Sequence, residues 1–184
     1  MENNPFLGYV GERYFFSKTK ICFVGKAGGE SRHLTAADMR MNEKFVAFKK
    51  SAHNDREETF YAYQRVVCAH IQTWNVYKIP EYLNGLIGQD IYDIAYLNIL
   101  PFRYIGEPPK SVFKVAWCNF TNKALHILEP DYIVPLGKRL HEEIRANYSG
   151  DAEVTDGITR TNGDNYLHND AINHMTNLAN RIIK

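Results

Sequence analysis

Lys20-Ile21-Cys22-Phe23-Val24-Gly25-Lys26-Ala27-Gly28-Gly29-Glu30-Ser31 is the stretch whose reading decides the fold. Ile21 to Val24 is an unbroken apolar run, with Lys20 before it and Gly25 after it. Such a run suits a strand covered on both faces, as in a parallel sheet. Gly25, Gly28 and Gly29 then let the backbone turn sharply and approach a ligand closely. In an open α/β sheet ligands bind at the carboxyl ends of strands. The turn is therefore the first candidate site, with a tight turn of no ligand role as the plain alternative.

Outward from this strand, the chain alternates between the two periodicities. Residues 1–19 carry Phe6, Tyr9, Tyr14, Phe15 and Phe16, too apolar for a free tail, and are expected to pack on the domain. Residues 30–56 form a long polar segment of the kind that often carries function. Asp55-x-x-Glu58 reads as a capping pair opening a helix with Phe60, Tyr63, Val67 and Ile71 on one face. A short helical piece follows Pro80, over Glu81–Ile87. The second strand is Asp93–Leu100, and the loop signals Pro101 and Gly106-Glu107-Pro108-Pro109 end it.

Ser111 is expected to cap a helix with Phe113, Ala116, Trp117, Phe120, Ala124, Ile127 and Leu128 inward, stopped by Pro130. A third strand, Tyr132–Leu136, closes at Gly137, and a helix over about Lys138–Asn147 carries Leu140 and Ile144 inward. Val154–Thr161 is a weaker strand. Asp170 is expected to cap a last helix with Ile172, Met175, Leu178, Ala179 and Ile182 on one face. This order predicts one α/β domain over residues 1–184, a parallel sheet with helices on both faces. Right-handed crossovers gather the strand ends on one edge.

The chain has 184 residues, 45% hydrophobic and 23% charged, which fits one ordinary globular domain. No apolar run approaches a membrane span and Met1 opens no signal-peptide pattern, so the expectation is a cytoplasmic protein without a membrane partner. Cys22, Cys68 and Cys118 are far apart and form no C-x-x-C pair, which predicts buried reduced thiols rather than a disulfide, zinc or iron–sulfur set. No metal and no cofactor is expected. The net charge of +1 gives no overall nucleic-acid signature. Residues 1–56 nevertheless hold ten Lys/Arg against six Asp/Glu, a mildly basic third that suits phosphates or simply a solvated face.

The predicted ligand edge collects Gly25–Ser31, Asn98–Arg103, Gly137–Arg139 and Thr161–Asp170. Asn98 is the most informative of these, because a polar amide in a buried strand is costly unless its donors and acceptor are satisfied. It either pairs with the amide-like edge of a ligand or bonds nearby backbone. His168, among Asn165, Asn169 and Asp170, is either a donor to a developing anion or an exposed loop residue near a helix cap. His33 and His53 lack metal-ligand spacing and read as surface residues.

Three of these stretches together resemble the uracil-DNA glycosylase superfamily: a strand running into G-x-x-G-G, a strand ending Leu97-Asn98-Ile99-Leu100-Pro101-Phe102, and Leu128-Glu129-Pro130-Asp131-Tyr132-Ile133-Val134-Pro135-Leu136-Gly137. The resemblance covers roughly residues 20–170 in order and spacing. It implies a three-layer α/β/α sandwich around a four-stranded parallel sheet. It also implies a DNA-repair hydrolase that flips a damaged base out of DNA, where the reacting atom is otherwise stacked, and cuts its N-glycosidic bond.

By that resemblance, Asn98 reads the base and the backbone of Gly25, Lys26, Ala27, Gly28 and Gly29 shapes the pocket. Phe45 or Phe48 stacks on the base. Where the family carries an acid to position water or stabilise the cationic sugar, this chain has Lys26 and Ala27, which leaves Glu30 as the nearest carboxylate. Lys26 suits a phosphate better than a developing cation. Gly28 stands in place of the usual Pro, and the His-Pro-Ser motif has no match. His168, or Arg160 in Arg160-Thr161-Asn162-Gly163, is left to stabilise the departing base anion. Two functions follow: a divergent glycosylase acting on DNA, or a non-catalytic module that binds a nucleobase, nucleotide or nucleic acid. The oligomeric state is left open.

Overall fold

A computed structural model describes residues 6–27, 36–101, 104, 108–158 and 167–184. The strands are β1 (Tyr9–Val10), β2 (Ile21–Gly25), β3 (Ile94–Asn98), β4 (Tyr132–Pro135) and β5 (Glu153–Val154). The helices are α1 (Ala36–Lys50), α2 (Arg56–Ile71), α3 (Lys78–Ile87), α4 (Lys110–Ala116), α5 (Asn122–Leu128), α6 (Lys138–Asn147) and α7 (Asn169–Ile182). A π-helical turn, Trp117–Thr121, joins α4 to α5. The five strands form one mixed sheet in the order β1-β3-β2-β4-β5. Strands β3, β2, β4 and β5 run parallel, and β1 pairs antiparallel with β3.

The apolar run that opened the reading is the centre of this sheet. Every residue of β2 and β3 is buried. Alternation sends Ile21, Phe23, Ile94, Tyr96 and Val134 into one core, with Val67 and Ile71 of α2, Leu83 of α3 and Met175 and Leu178 of α7. Cys22, Val24, Ala95, Leu97 and Ile133 enter the other, with Phe113, Trp117, Leu125, Leu128, Leu140 and Ile144. Each large apolar side chain buried in this way contributes roughly 1.5–3 kcal/mol. Among the described residues no helix is long and apolar enough to cross a membrane.

Several expectations are corrected. The sheet has five strands rather than four, because Tyr9–Val10 adds an edge strand. The N-terminal segment packs through Phe6, Tyr9 and Tyr14, while Phe15 and Phe16 are exposed. The polar segment after the glycine turn contains α1, a helix with only Asp38 and Phe45 buried and hence almost no apolar stripe to read. The second strand is shorter than Asp93–Leu100, because Asp93 closes a capping box with Asp90 in a preceding 3-10 turn. The last strand is Glu153–Val154, although Thr155 and Ile158 still donate to carbonyls of Ile133 and Pro135.

Helix starts also shift. Asp55 precedes α2 without a side-chain cap bond. Pro109, which lacks an N–H to satisfy, precedes α4, so Ser111 lies inside its first turn. His168 rather than Asp170 occupies the cap position of α7. In the helix after Pro109, Ile127 is exposed and Thr121 and Leu125 point inward. The π turn inserts extra residue length and moves the buried face by about one position. Cys22 and Cys68 are buried free thiols, but Cys118, on that turn, is exposed.

Candidate functional site at the ends of the central strands

Gly25 and Asn98, the last residues of β2 and β3, are register partners. The two chains stay joined past the sheet. Ile99 N–H donates to the Gly25 carbonyl and Leu100 N–H to the Lys26 carbonyl, each at 2.9 Å. Leu136 N–H donates to the Val24 carbonyl at 2.9 Å from the β4 side. The backbone leaving β2 is thus fixed at the carboxyl edge, where the crossovers converge.

Asn98 is 1% exposed. Its amide nitrogen Nδ2 is buried and has no hydrogen-bond partner among the described residues. An unpaired buried donor costs about 1–3 kcal/mol, so an Asn kept only to brace backbone is poorly explained here. Its Oδ1 lies 2.5 Å from the point where a Cβ on Gly25 would stand, and the Tyr96 hydroxyl lies 2.9 Å from the same point. Gly25 is therefore required by close approach across the strand pair; it belongs to β2 itself rather than to the turn after it.

Two supports hold this corner. From one face, Thr121 in the π turn is fully buried, and its Oγ1 lies 3.1 Å from the Ile99 carbonyl and 3.5 Å from that of Asn98. From the other face, rings run inward from α2. The Tyr96 ring packs edge-on against Trp74 at 5.6 Å and Phe6 at 6.4 Å, and Trp74 meets His70 at 5.3 Å. His70 Nε2 bonds Asp38 Oδ1 at 3.0 Å, joining α2 to the first turn of α1, with both side chains buried. The other ring nitrogen, Nδ1, is buried without a partner among the described residues.

The expected site residues divide into three groups. Gly25, Lys26, Ala27 and Asn98 lie together at this corner. Phe45 is buried on α1 with its ring edge-on to Tyr63 at 6.0 Å, and Phe48 packs on Phe60 with the Arg56 guanidinium 5.4 Å from its ring. His168 is half-buried just before α7, where its carbonyl accepts from Ile172 N–H at 2.9 Å. Gly28, Gly29, Glu30 and Arg160 lie outside the described residues, as does His33. His53 is exposed.

Four residues of the corner escape sequence reading: Tyr96, Thr121, Asp38 and His70. Tyr96 was open to discovery, because it stands two residues before Asn98 and so shares its face of the strand. Elsewhere on the carboxyl side, a His141 ring nitrogen meets the Thr155 carbonyl at 2.8 Å. Burial lowers the His174 pKa, opposed by the Asp156 charge and aided by Arg181 and His141. Among the described residues no group of three His, Cys, Asp or Glu side chains could hold a metal ion. A groove at the opposite, amino edge is lined by Ser17, Lys18, Thr19, Gly88, Gln89 and Asp93 and does not reach Asn98. No protein-family model matches the sequence, and no curated protein matches it either.

Proposed function

We propose that the chain is a divergent member of the uracil-DNA glycosylase superfamily that holds a nucleobase against Asn98 at the ends of β2 and β3. One observation carries the reading: a strand-end amide, 1% exposed, whose Nδ2 has no partner among the described residues and whose Oδ1 lies against a position kept free of a side chain at Gly25. A base carbonyl would satisfy that donor. The parallel run β3-β2-β4-β5 and the two cores on opposite faces support the finer architecture, a three-layer sandwich around four parallel strands. The proposed reaction is hydrolysis of the N-glycosidic bond of a damaged base in DNA, with Glu30 positioning water and His168 or Arg160 stabilising the departing base anion.

Single- and double-stranded DNA carrying uracil or hypoxanthine should yield alkali-labile abasic sites at enzyme excess. Failure to form them on every substrate overturns the hydrolase. Lys26 favours a second reading, a non-catalytic module for a nucleobase, nucleotide or nucleic acid. Its backbone is tied to Leu100 at the strand edge, and a cation there opposes positive charge on the sugar. Stabilisation of the protein by free bases or nucleotides, without turnover, would select this reading. In either case Asn98→Ala should abolish that stabilisation and leave the unliganded Tm within about 2 °C, because the amide donor it removes has no partner among the described residues. Unfolding of the variant would make Asn98 structural.

A further inference from the structure

We infer that α1 is a hinged lid on the ligand edge, pivoting at its carboxyl end and latched at its amino end by the buried Asp38–His70 pair. The inference goes beyond the base-binding reading and stands without it. Helix α1 has 15 residues and buries only Asp38 and Phe45. Helix α7, with 14 residues, buries Ala171, Met175, Leu178 and Ala179. A surface helix is normally held by an apolar stripe, and α1 has almost none.

The contacts of α1 with α2 differ along its length. At the carboxyl end, Ser51 Oγ donates to the Phe48 carbonyl at 2.7 Å, Thr59 Oγ1 lies 3.0 Å from Ser51 Oγ, and the Phe48 ring is 5.5 Å from Phe60. Residues 51–55 alone join the two helices there, so this end cannot travel far. In the middle, Phe45 meets Tyr63. At the amino end, Asp38 Oδ1 meets His70 Nε2 at 3.0 Å. That end follows β2, whose last residue Gly25 pairs with Asn98, and the His70 ring leads through Trp74 to Tyr96. Opening at the latch would therefore act beside the strand-end corner.

The latch is polar, and that sets how firmly it holds. A carboxylate only accepts, so Nε2 carries the shared proton, and Nδ1 keeps a buried lone pair with no partner among the described residues. Opening returns water to the carboxylate and to both ring nitrogens, so the bond gained on closing is largely offset by the hydration lost. Two leucines in the same places would lose no such hydration. The pair fixes where α1 docks while holding it less firmly than an apolar contact would.

The test is native-state hydrogen exchange by NMR in low urea on wild type, Asp38→Asn and the double variant Asp38→Leu with His70→Leu. In wild type the α1 amides should exchange together, with one shared and weak urea dependence, about 100-fold or more faster than those of β2 and β3. Asp38→Asn should speed α1 exchange about fivefold, and the double leucine variant should slow it about tenfold. Exchange of α1 at the rates and urea dependence of β2 and β3 would make the helix part of the rigid core and overturn the lid. Rates that differ residue by residue, falling from the amino end inward, would be fraying without a hinge and would overturn it as well. A wild-type α1 rate in both variants removes Asp38–His70 as the latch, and the inference with it.

Discussion

Asp38→Ala is the most searching test of the frame around the site. Asp38 and His70 are joined at 3.0 Å with side chains 4% and 8% exposed, and they tie the first turn of α1 to the end of α2. Removing one partner of a buried hydrogen bond typically costs about 1–3 kcal/mol, because the other is left unpaired in a poorly solvated place. The remaining imidazole would then have neither nitrogen paired among the described residues, since Nδ1 already has none. For a domain of 184 residues, roughly 2–4 °C is lost per kcal/mol. A fall in Tm of about 5 °C is expected, with a lower urea midpoint and an unchanged m-value.

His70→Leu should cost a similar amount, whereas Asp38→Leu with His70→Leu should cost far less than the two single changes added together. Non-additivity of at least about 1 kcal/mol is the signature of a direct pair. Urea melts of the four proteins measure it. Single changes that each cost under about 1 kcal/mol, or costs that simply add, would refute the claim that this pair anchors α1.

Three further outcomes follow from the same geometry. Gly25→Ala places a Cβ against Asn98 Oδ1 and the Tyr96 hydroxyl, so it should cost about 1–3 kcal/mol by overpacking and weaken base binding even where the fold survives; a wild-type Tm and affinity would show that the corner has slack. Thr121→Val keeps the shape of a buried residue but removes the hydroxyl that reaches the Ile99 carbonyl, and should lower unfolding free energy by about 1–2 kcal/mol in urea melts; no change would mean that carbonyl is satisfied otherwise. His174 has a pKa lowered mainly by burial, so the unfolded chain takes up its proton first as pH falls. The stability supplied by the neutral ring is present above the unfolded value near 6.5 and is lost as pH falls through it toward the folded value. His174→Gln should flatten the loss of urea stability between pH 7 and pH 5, and an unaltered slope would exclude the residue as its source.

The parts legible in sequence were those where burial and periodicity agree. Ile21 to Val24 read as a covered strand because all four are apolar, and Lys138–Asn147 read as a helix because Leu140 and Ile144 sit one turn apart. Asn98 stood out because a polar side chain interrupts an apolar run. Its neighbour Tyr96 did not, since a tyrosine in a strand is ordinary core until the destination of its hydroxyl is known. Helix α1 hid because its buried contacts are a carboxylate and one phenylalanine rather than a stripe. Asp38 and His70 are 32 residues apart and make a pair only after two helices pack. Thr121 was missed and Ile127 was misread because a π turn breaks the 3.6-residue phase on which helical reading depends.

The edge strand β1 bears on solubility. Its backbone is braced by α2: Gln64 accepts from Val10 N–H at 3.1 Å and donates to the Gly8 carbonyl at 3.3 Å, and the Tyr63 hydroxyl accepts from Leu7 N–H at 3.2 Å. Without this segment, β3 would present an open ladder of backbone donors and acceptors, the template on which sheets of separate molecules join. The outermost strand at each end of the sheet is only two residues long. Proteolytic clipping between β1 and β2 would thus turn the strand that bears Asn98 from an interior element into an adhesive margin, and aggregation would accompany any loss of the pocket.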